Sequence, residues 1–380
     1  MEGNRQTGCA VPLPPFAPLI EGLPETVPFV GPEALERRSS LPFRARIGAN
    51  ESGFGPSPRV LAALPGLAEN IWCYPDPENH DLKVAVSRHL GIAPDEVTIG
   101  GGIDGLLGLT VRLFIAPGNV VVTSLGAYPT FNYHVTGFGG DLRFVPYSGV
   151  HEEPEALAEH ARKTRARIVY LANPDNPMGS VWPADAVEAF IDKVPENCLV
   201  ILDEAYGETA PAGTMPAIDT SRPNLLRFRT FSKAYGMAGI RVGYAFGNTR
   251  LVRAFDRVRN HFGVNRLAQG AAMIALDDQD YLEKTIADIA AARSRIAAIA
   301  QANGLSALPS ATNFVAVDCG RDADYANLVL AELAQRGVFI RKPMTEGLDH
   351  HIRISAAPDA VLDILAEELP AALRAAYDAG

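Results

Sequence analysis

Cysteine is scarce in this sequence: Cys9, Cys73, Cys198 and Cys319 are the only four in 380 residues, far apart and with no C-x-x-C pair. Such spacing argues against a disulfide framework or a cysteine-based zinc site and reads as buried, reduced thiols. Positive charge is also in short supply. Lys and Arg number 34 against 44 Asp and Glu, a formal net charge of −10, and no run of basic residues forms the stripe that a phosphate backbone requires. Nucleic acid is therefore not an expected partner. No apolar stretch reaches the roughly 18 residues needed to cross a bilayer, and the start, MEGNRQTGCAVPLPPF, lacks a basic segment followed by an apolar one. A membrane is not expected as a partner either, and the chain is read as cytoplasmic. Histidines do not cluster beside the acidic motifs, so no metal site is expected.

What the sequence does contain is a globular composition, 47% hydrophobic and 21% charged. A chain of this length exceeds one ordinary core. We expect an N-terminal segment over 1–45 draped on a small domain, with no element of its own, a large domain over 46–265, and a small C-terminal domain over 266–380. Between about 95 and 246 short apolar runs alternate with helical stretches: VTI, NVVVT, LRFV, RIVYL, CLVIL, LRFRTF and RVGYAF. That alternation predicts an α/β fold with a seven-stranded, mostly parallel sheet between helices. Beyond about 265 the period changes. Leu282, Ile286, Ile289, Ile296 and Ile299 fall at helical spacing, and NFVAVD, VFIRK and IRIS read as strands, giving a smaller α+β domain.

Five segments carry chemistry. In TFSKAYGMAGIRVGY, Lys233 follows a strand among small and hydroxyl residues, with Arg241 eight positions on. A lysine in a partly desolvated pocket loses its proton more readily, and a free amine can attack an aldehyde to form an imine. In CLVILDEAYGE an apolar strand delivers Asp203, Glu204 and Tyr206 to the carboxyl edge of the sheet. A carboxylate there can pair with a protonated pyridine nitrogen, and a tyrosine hydroxyl can bond a phenolic oxygen; a metal is the competing reading of Asp203 and Glu204. LANPDNPMGS places Asn176 at another strand end, as a turn residue and as an amide donor. VTIGGGIDGLL is a strand, a glycine turn and a helix start, a phosphate cradle of backbone N–H groups. It also matches G-x-G-x-x-G, but no acidic residue lies between Gly105 and Gly140 to hold a ribose, which disfavours a dinucleotide. In GAYPTFNYH, Phe131, with Tyr128 and Tyr133 as alternatives, could lie flat on a ring.

Taken together these segments resemble the pyridoxal 5'-phosphate (PLP)-dependent aminotransferases of fold type I, and within them the histidinol-phosphate aminotransferase branch. The resemblance runs from ANESGFGPSP at 49 to 58, through YPDP, the glycine turn, NPDNPMG, DEAY and SK, to IRIS at 352 to 355. It implies that the large domain binds PLP, with Lys233 as its covalent carrier and proton shuttle, Asp203 on the ring nitrogen, and Tyr206 and Asn176 on the phenolic oxygen. Thr230, Ser232, Arg241 and the backbone of Ile103 and Asp104 would hold the phosphate, with Tyr74 reaching in from the neighbouring subunit of a homodimer. Arg353, with Arg341 nearby, and Asn50 would meet the substrate. The implied reaction moves an amino group from a donor such as glutamate to a keto or aldehyde acceptor, both small molecules. A decarboxylase of the threonine-phosphate type shares nearly the same pattern and is the alternative. The sequence departs from the branch at Ser52, Gly53, Ile103, Gly105, His134 and Met178, and at Phe29, where members that bind histidinol phosphate often carry tyrosine. These departures predict altered substrate choice, with histidinol phosphate not the best partner.

Overall fold

In the computed structural model, which describes residues 14–23, 25, 30–39 and 41–379, the apolar runs become strands. In chain order these are β1 (Ala45–Arg46), β2 (Val97–Gly100), β3 (Val120–Ser124), β4 (Asp141–Val145), β5 (Ile168–Ala172), β6 (Leu199–Asp203), β7 (Leu225–Thr230), β8 (Gly243–Gly247), β9 (Ser306–Ala307), β10 (Phe314–Asp318), β11 (Val338–Phe339) and β12 (His351–Ser355). All seven runs expected between 95 and 246 join one sheet in the order β2-β8-β7-β6-β5-β3-β4. Only β8 runs against its neighbours.

The two faces of that sheet can be read residue by residue. Ile168, Tyr170, Leu199 and Ile201 point to the side where Leu106, Leu107 and Val111 of the helix Gly102–Phe114 pack. Val169, Leu171, Val200 and Leu202 point to the other, against Leu157, Val187 and Phe190 of the helices Pro154–Thr164 and Ala184–Lys193. Successive strand residues face opposite sides, so a strand covered on both must be apolar throughout, and β5 and β6 are buried at every position. Each such aliphatic side chain contributes about 1.5–3 kcal/mol by leaving water.

The C-terminal part builds a second core. β12, β10 and β9 form an antiparallel sheet, while β1 pairs in parallel with β11, so residues 45–46 belong to this layer by contact. The helices Gln279–Ala302, Ala323–Gln335 and Asp359–Ala379 cover it. The expected helical stripe is real but serves two cores. Leu282 and Ile286 pack with the helices around Val60 and Leu82, whereas Ile289, Ile296 and Ile299 pack against β10 and β12.

The N-terminal segment does have elements of its own, contrary to expectation: helices Pro18–Glu21 and Pro32–Ser39, each opened by a proline. Glu33 and Glu36 of the second helix accept from Arg46 of β1 at 2.8 and 2.6 Å, which ties it to the C-terminal layer. Phe29 lies outside the described residues. Among the described residues no helix is long and apolar enough to cross a membrane.

Candidate active site

Parallel strands deliver their last residues to one edge, and here those ends line a cavity of ≈ 260 Å³. Asp203 ends β6; Asn176 follows β5; Tyr128 follows β3; Thr230, Ser232 and Lys233 end or follow β7; Ile103 and Asp104 open the helix after β2. Tyr206, Arg241, Glu51 and Tyr170 complete the wall that matters here.

Lys233 is half-buried, and its Nζ donates to the carbonyl of Asn50 at 3.0 Å and stands 5.5 Å from the Tyr206 ring centre. Burial, and then the nearby Arg353 guanidinium, push its amine down to about 8, so the free amine is far more accessible near neutral pH than for an ordinary lysine. Asp203 is only 5% exposed. Burial pushes its carboxyl up to about 6, against the bonds it accepts from Tyr170 Oη at 2.7 Å and the Ala205 N–H at 2.9 Å. Among the described residues it has no cationic partner in hydrogen-bond contact.

Asn50 joins the pieces. It sits in the left-handed region (φ 56°), which asparagine tolerates better than most residues. From there its N–H donates to Ser355 Oγ at 2.9 Å and its amide to Tyr206 Oη at 3.0 Å, while its carbonyl receives Lys233. Asn50 is thus a strut behind the site and does not itself line the cavity.

At the other end, Gly102 takes φ +85° at the start of its helix, and a Cβ there would stand 2.5 Å from Arg241 Nη2. Only glycine lets the arginine lie across the helix N-terminus. Arg241 donates to the carbonyls of Ala238 and Gly101, at 3.1 and 3.4 Å, and Thr230 Oγ1 lies 3.0 Å from Ser232 Oγ. A guanidinium, two hydroxyls and a helix N-terminus make an anion cradle.

Arg353 and Arg341 oppose each other across an antiparallel bridge and so project from the same face. Arg353 Nη1 donates to Asn176 Oδ1 at 2.7 Å, its guanidinium lies over Phe314, and its Nε is buried without a partner. Burial pushes it down to about 10, the condition of a guanidinium short of an anion. Arg341 donates to the Val30 carbonyl at 2.9 Å, and its guanidinium lies 5.4 Å from the Phe339 ring centre.

The family Aminotransferase class I and II matches residues 46–369. The chain belongs to the class I and II aminotransferases. Among curated relatives of this aminotransferase, histidinol-phosphate aminotransferase 1 of Nitrosococcus oceani is 35% identical over 339 residues, covering 88% of this chain and 90% of that protein. The crystal structure of histidinol-phosphate aminotransferase from Sinorhizobium meliloti, in complex with pyridoxal-5'-phosphate, superposes with a TM-score of 0.92 at 55% identity, over 94% of this chain and 97% of that one. L-threonine-O-3-phosphate decarboxylase from Porphyromonas gingivalis superposes at 0.74 over 87% of this chain and 99% of that one, but at 19% identity, a likeness of fold alone.

Not every residue singled out in the sequence reaches the cavity. Phe131 does not face the cavity: it is fully buried, stacked on Tyr170 with centroids 4.8 Å apart, because its helix starts at Pro129 and turns that position into the core. Tyr128, one residue ahead of the helix, lines the wall instead. Glu204 is taken up in ion pairs behind the sheet edge. One position past Asp203, it points away from the cavity and pairs with Arg227 and Arg229, at 2.6 and 2.8 Å. His134 and Gly105 do not line the cavity; His134 bonds Asp104 at 3.2 Å, and a Cβ at Gly105 would meet open space. Met178 is buried in a small apolar cluster with Ala316 and Leu348. Tyr74 is 76% exposed and stacked on Phe262, outside this cavity. Tyr170 was missed, because in RIVYL it reads as one more core residue.

Proposed function

We propose that this aminotransferase uses PLP at this cavity to move an amino group between an amino-acid donor, glutamate or a close analogue, and a keto or aldehyde acceptor. The observation that carries the reading is the pairing of a pH-poised amine, Lys233, with an uncompensated buried carboxylate, Asp203, in a cavity that ends in an anion cradle. The residues fit the group: Lys233 for covalent attachment, Asp203 for the ring nitrogen, Tyr206 and the amide NH₂ of Asn176 for the phenolic oxygen. Thr230, Ser232, Arg241 and the N–H groups at Ile103 and Asp104 suit the phosphate. Tyr128 suits the ring face. When bound, PLP supplies the electron sink that lets a bond at the substrate's Cα break.

The chain's own residues do the rest. Lys233 takes up and returns the Cα proton, a role that its lowered basicity suits at neutral pH. Asp203, kept from water and oriented by Tyr170 and the Ala205 N–H, keeps the ring nitrogen protonated. Arg353 offers its unused Nε and remaining N–H groups to a substrate carboxylate, with Asn176 and Phe314 fixing the plane of its fork. Arg341 flanks it from the same face.

The names of the relatives make histidinol phosphate the leading substrate. The doubt raised by His134 and Gly105 loses its ground, since neither lines the cavity. A homodimer with shared sites is part of this reading: Ile71, Trp72 and Tyr74 are 63%, 82% and 76% exposed, an apolar patch that a partner subunit would cover while Tyr74 reaches its phosphate. We also propose that the boundary between the large and small domains falls within the helix Gln279–Ala302, since its two halves serve different cores. The test is a half-reaction: holoenzyme mixed with glutamate should form 2-oxoglutarate and leave the cofactor in its amine form, and in a separate reaction with fresh aldehyde-form holoenzyme histidinol phosphate should be the most efficient amine at producing the same conversion. Release of carbon dioxide from a phosphorylated amino acid, without oxo-acid formation, would favour the decarboxylase.

A further inference from the structure

A cluster of ligating groups unrelated to the cavity lies at one end of the small sheet. Asp318 closes β10 and is directly opposite His351, the first residue of β12, with His350 just before it. One ligand atom from each of Asp318, His350 and His351 lies within 4.8 Å of the other two. The two imidazole rings are 4.0 Å apart between centres.

What these groups do not do is informative. His351 is 3% exposed, and its Nδ1 lies 3.0 Å from the Leu348 carbonyl. A proton on Nδ1, donated to that carbonyl, fixes the tautomer and leaves Nε2 with a lone pair, the second-sphere arrangement common to metal-binding histidines. The His350 side chain makes no hydrogen bond or ion pair among the described residues. Asp318 accepts from the Gly320 N–H at 2.7 Å through Oδ1 only. Lys342, at the same end of the sheet, donates to the carbonyls of Asp349 and Ala323, at 2.8 and 3.3 Å, rather than to this carboxylate. Two imidazoles and a carboxylate thus converge without satisfying one another or being satisfied by a cation.

We propose that Asp318, His350 and His351 bind a zinc-type divalent metal ion through two imidazole nitrogens and one carboxylate oxygen, with the remaining coordination open to water. The donor set suits Zn²⁺ or Co²⁺ rather than Ca²⁺ or Mg²⁺, which take oxygen ligands. Ligands on one tetrahedral zinc stand roughly 3.4 Å apart. Asp318 and His350, both only half-buried, would have to close the remaining distance by side-chain rotation toward the buried His351. His351 and Arg353 are two apart on β12 and share a face. The ion would therefore clamp the end of the strand that carries Arg353, joining it to β10 and to the loop before it.

The experiment titrates ZnCl₂ into chelator-treated, full-length holoenzyme lacking any affinity-tag histidines, by calorimetry, and repeats it with Co²⁺ as a visible-absorption probe. One equivalent should bind, with the Co²⁺ spectrum of a mixed nitrogen and oxygen site. His350→Ala and Asp318→Asn, both at half-exposed positions and checked for folding by circular dichroism, should each weaken binding at least tenfold. Failure of the parent chain to bind one saturable equivalent would overturn the proposal, as would unchanged affinity in both variants, which would place the ion elsewhere.

Discussion

Replacing Asp203 with asparagine should make the cofactor-free protein more stable and the holoenzyme nearly inactive. Burial moves the carboxyl of Asp203 from its ordinary 3.8 to about 6. Between those values the folded state keeps a proton that the unfolded state has released, so stability falls as pH rises, and above about 6 the full cost is present. A displacement of that size is worth about 3 kcal/mol. Asparagine is nearly isosteric and never charged, so its advantage over the parent should be smallest below pH 4, grow through pH 4–6, and level off some 3 kcal/mol higher. Activity should move the other way. A contact ion pair in an effective dielectric of about 20 is worth about 4 kcal/mol, which corresponds to roughly 10³-fold in turnover. Urea denaturation of cofactor-stripped protein at pH 4, 5, 6 and 8, beside steady-state turnover of the loaded enzyme, reads both quantities. A stability difference that does not change with pH would mean that Asp203 is not a desolvated carboxylate. A turnover loss below tenfold would mean that it does not serve the ring nitrogen.

Two further outcomes follow from the same geometry. Glu204→Gln removes the carboxylate that pairs with both Arg227 and Arg229, and Arg227 is itself 1% exposed; unfolding free energy should drop by about 3–5 kcal/mol in denaturant titration, and a loss below 1 kcal/mol would show that the pair relaxes freely. Mixing Lys233→Ala protomers with Tyr74→Ala protomers should regenerate one native site per heterodimer, and turnover that stays at the sum of the two parents would remove Tyr74 from the shared site.

The sheet and most of the cavity wall were legible in the sequence, because a parallel strand covered on both sides must be apolar along its length and must end where chemistry begins. Asp203, Asn176 and Lys233 sit at such ends and could be read directly. Phe131 could not, since helical phase depends on where Pro129 starts the helix, and a shift of one residue exchanges wall for core. Nor could the pairing of Glu204 with Arg227 and Arg229, which depends on β6 and β7 being neighbours. In the long helix the spacing of Leu282 to Ile299 says that a stripe is buried; it carries no information that the stripe crosses from one core to another.

Lys233, and no other lysine, should carry the cofactor. Holoenzyme treated with borohydride, which fixes an imine as a stable secondary amine, can be digested and mapped by mass spectrometry. The pyridoxyl group should be found on the peptide that contains Lys233, at one equivalent per chain, and be absent from the Lys233→Ala protein. A full equivalent on any other lysine, or none on any peptide of a cofactor-loaded, active enzyme, would contradict it.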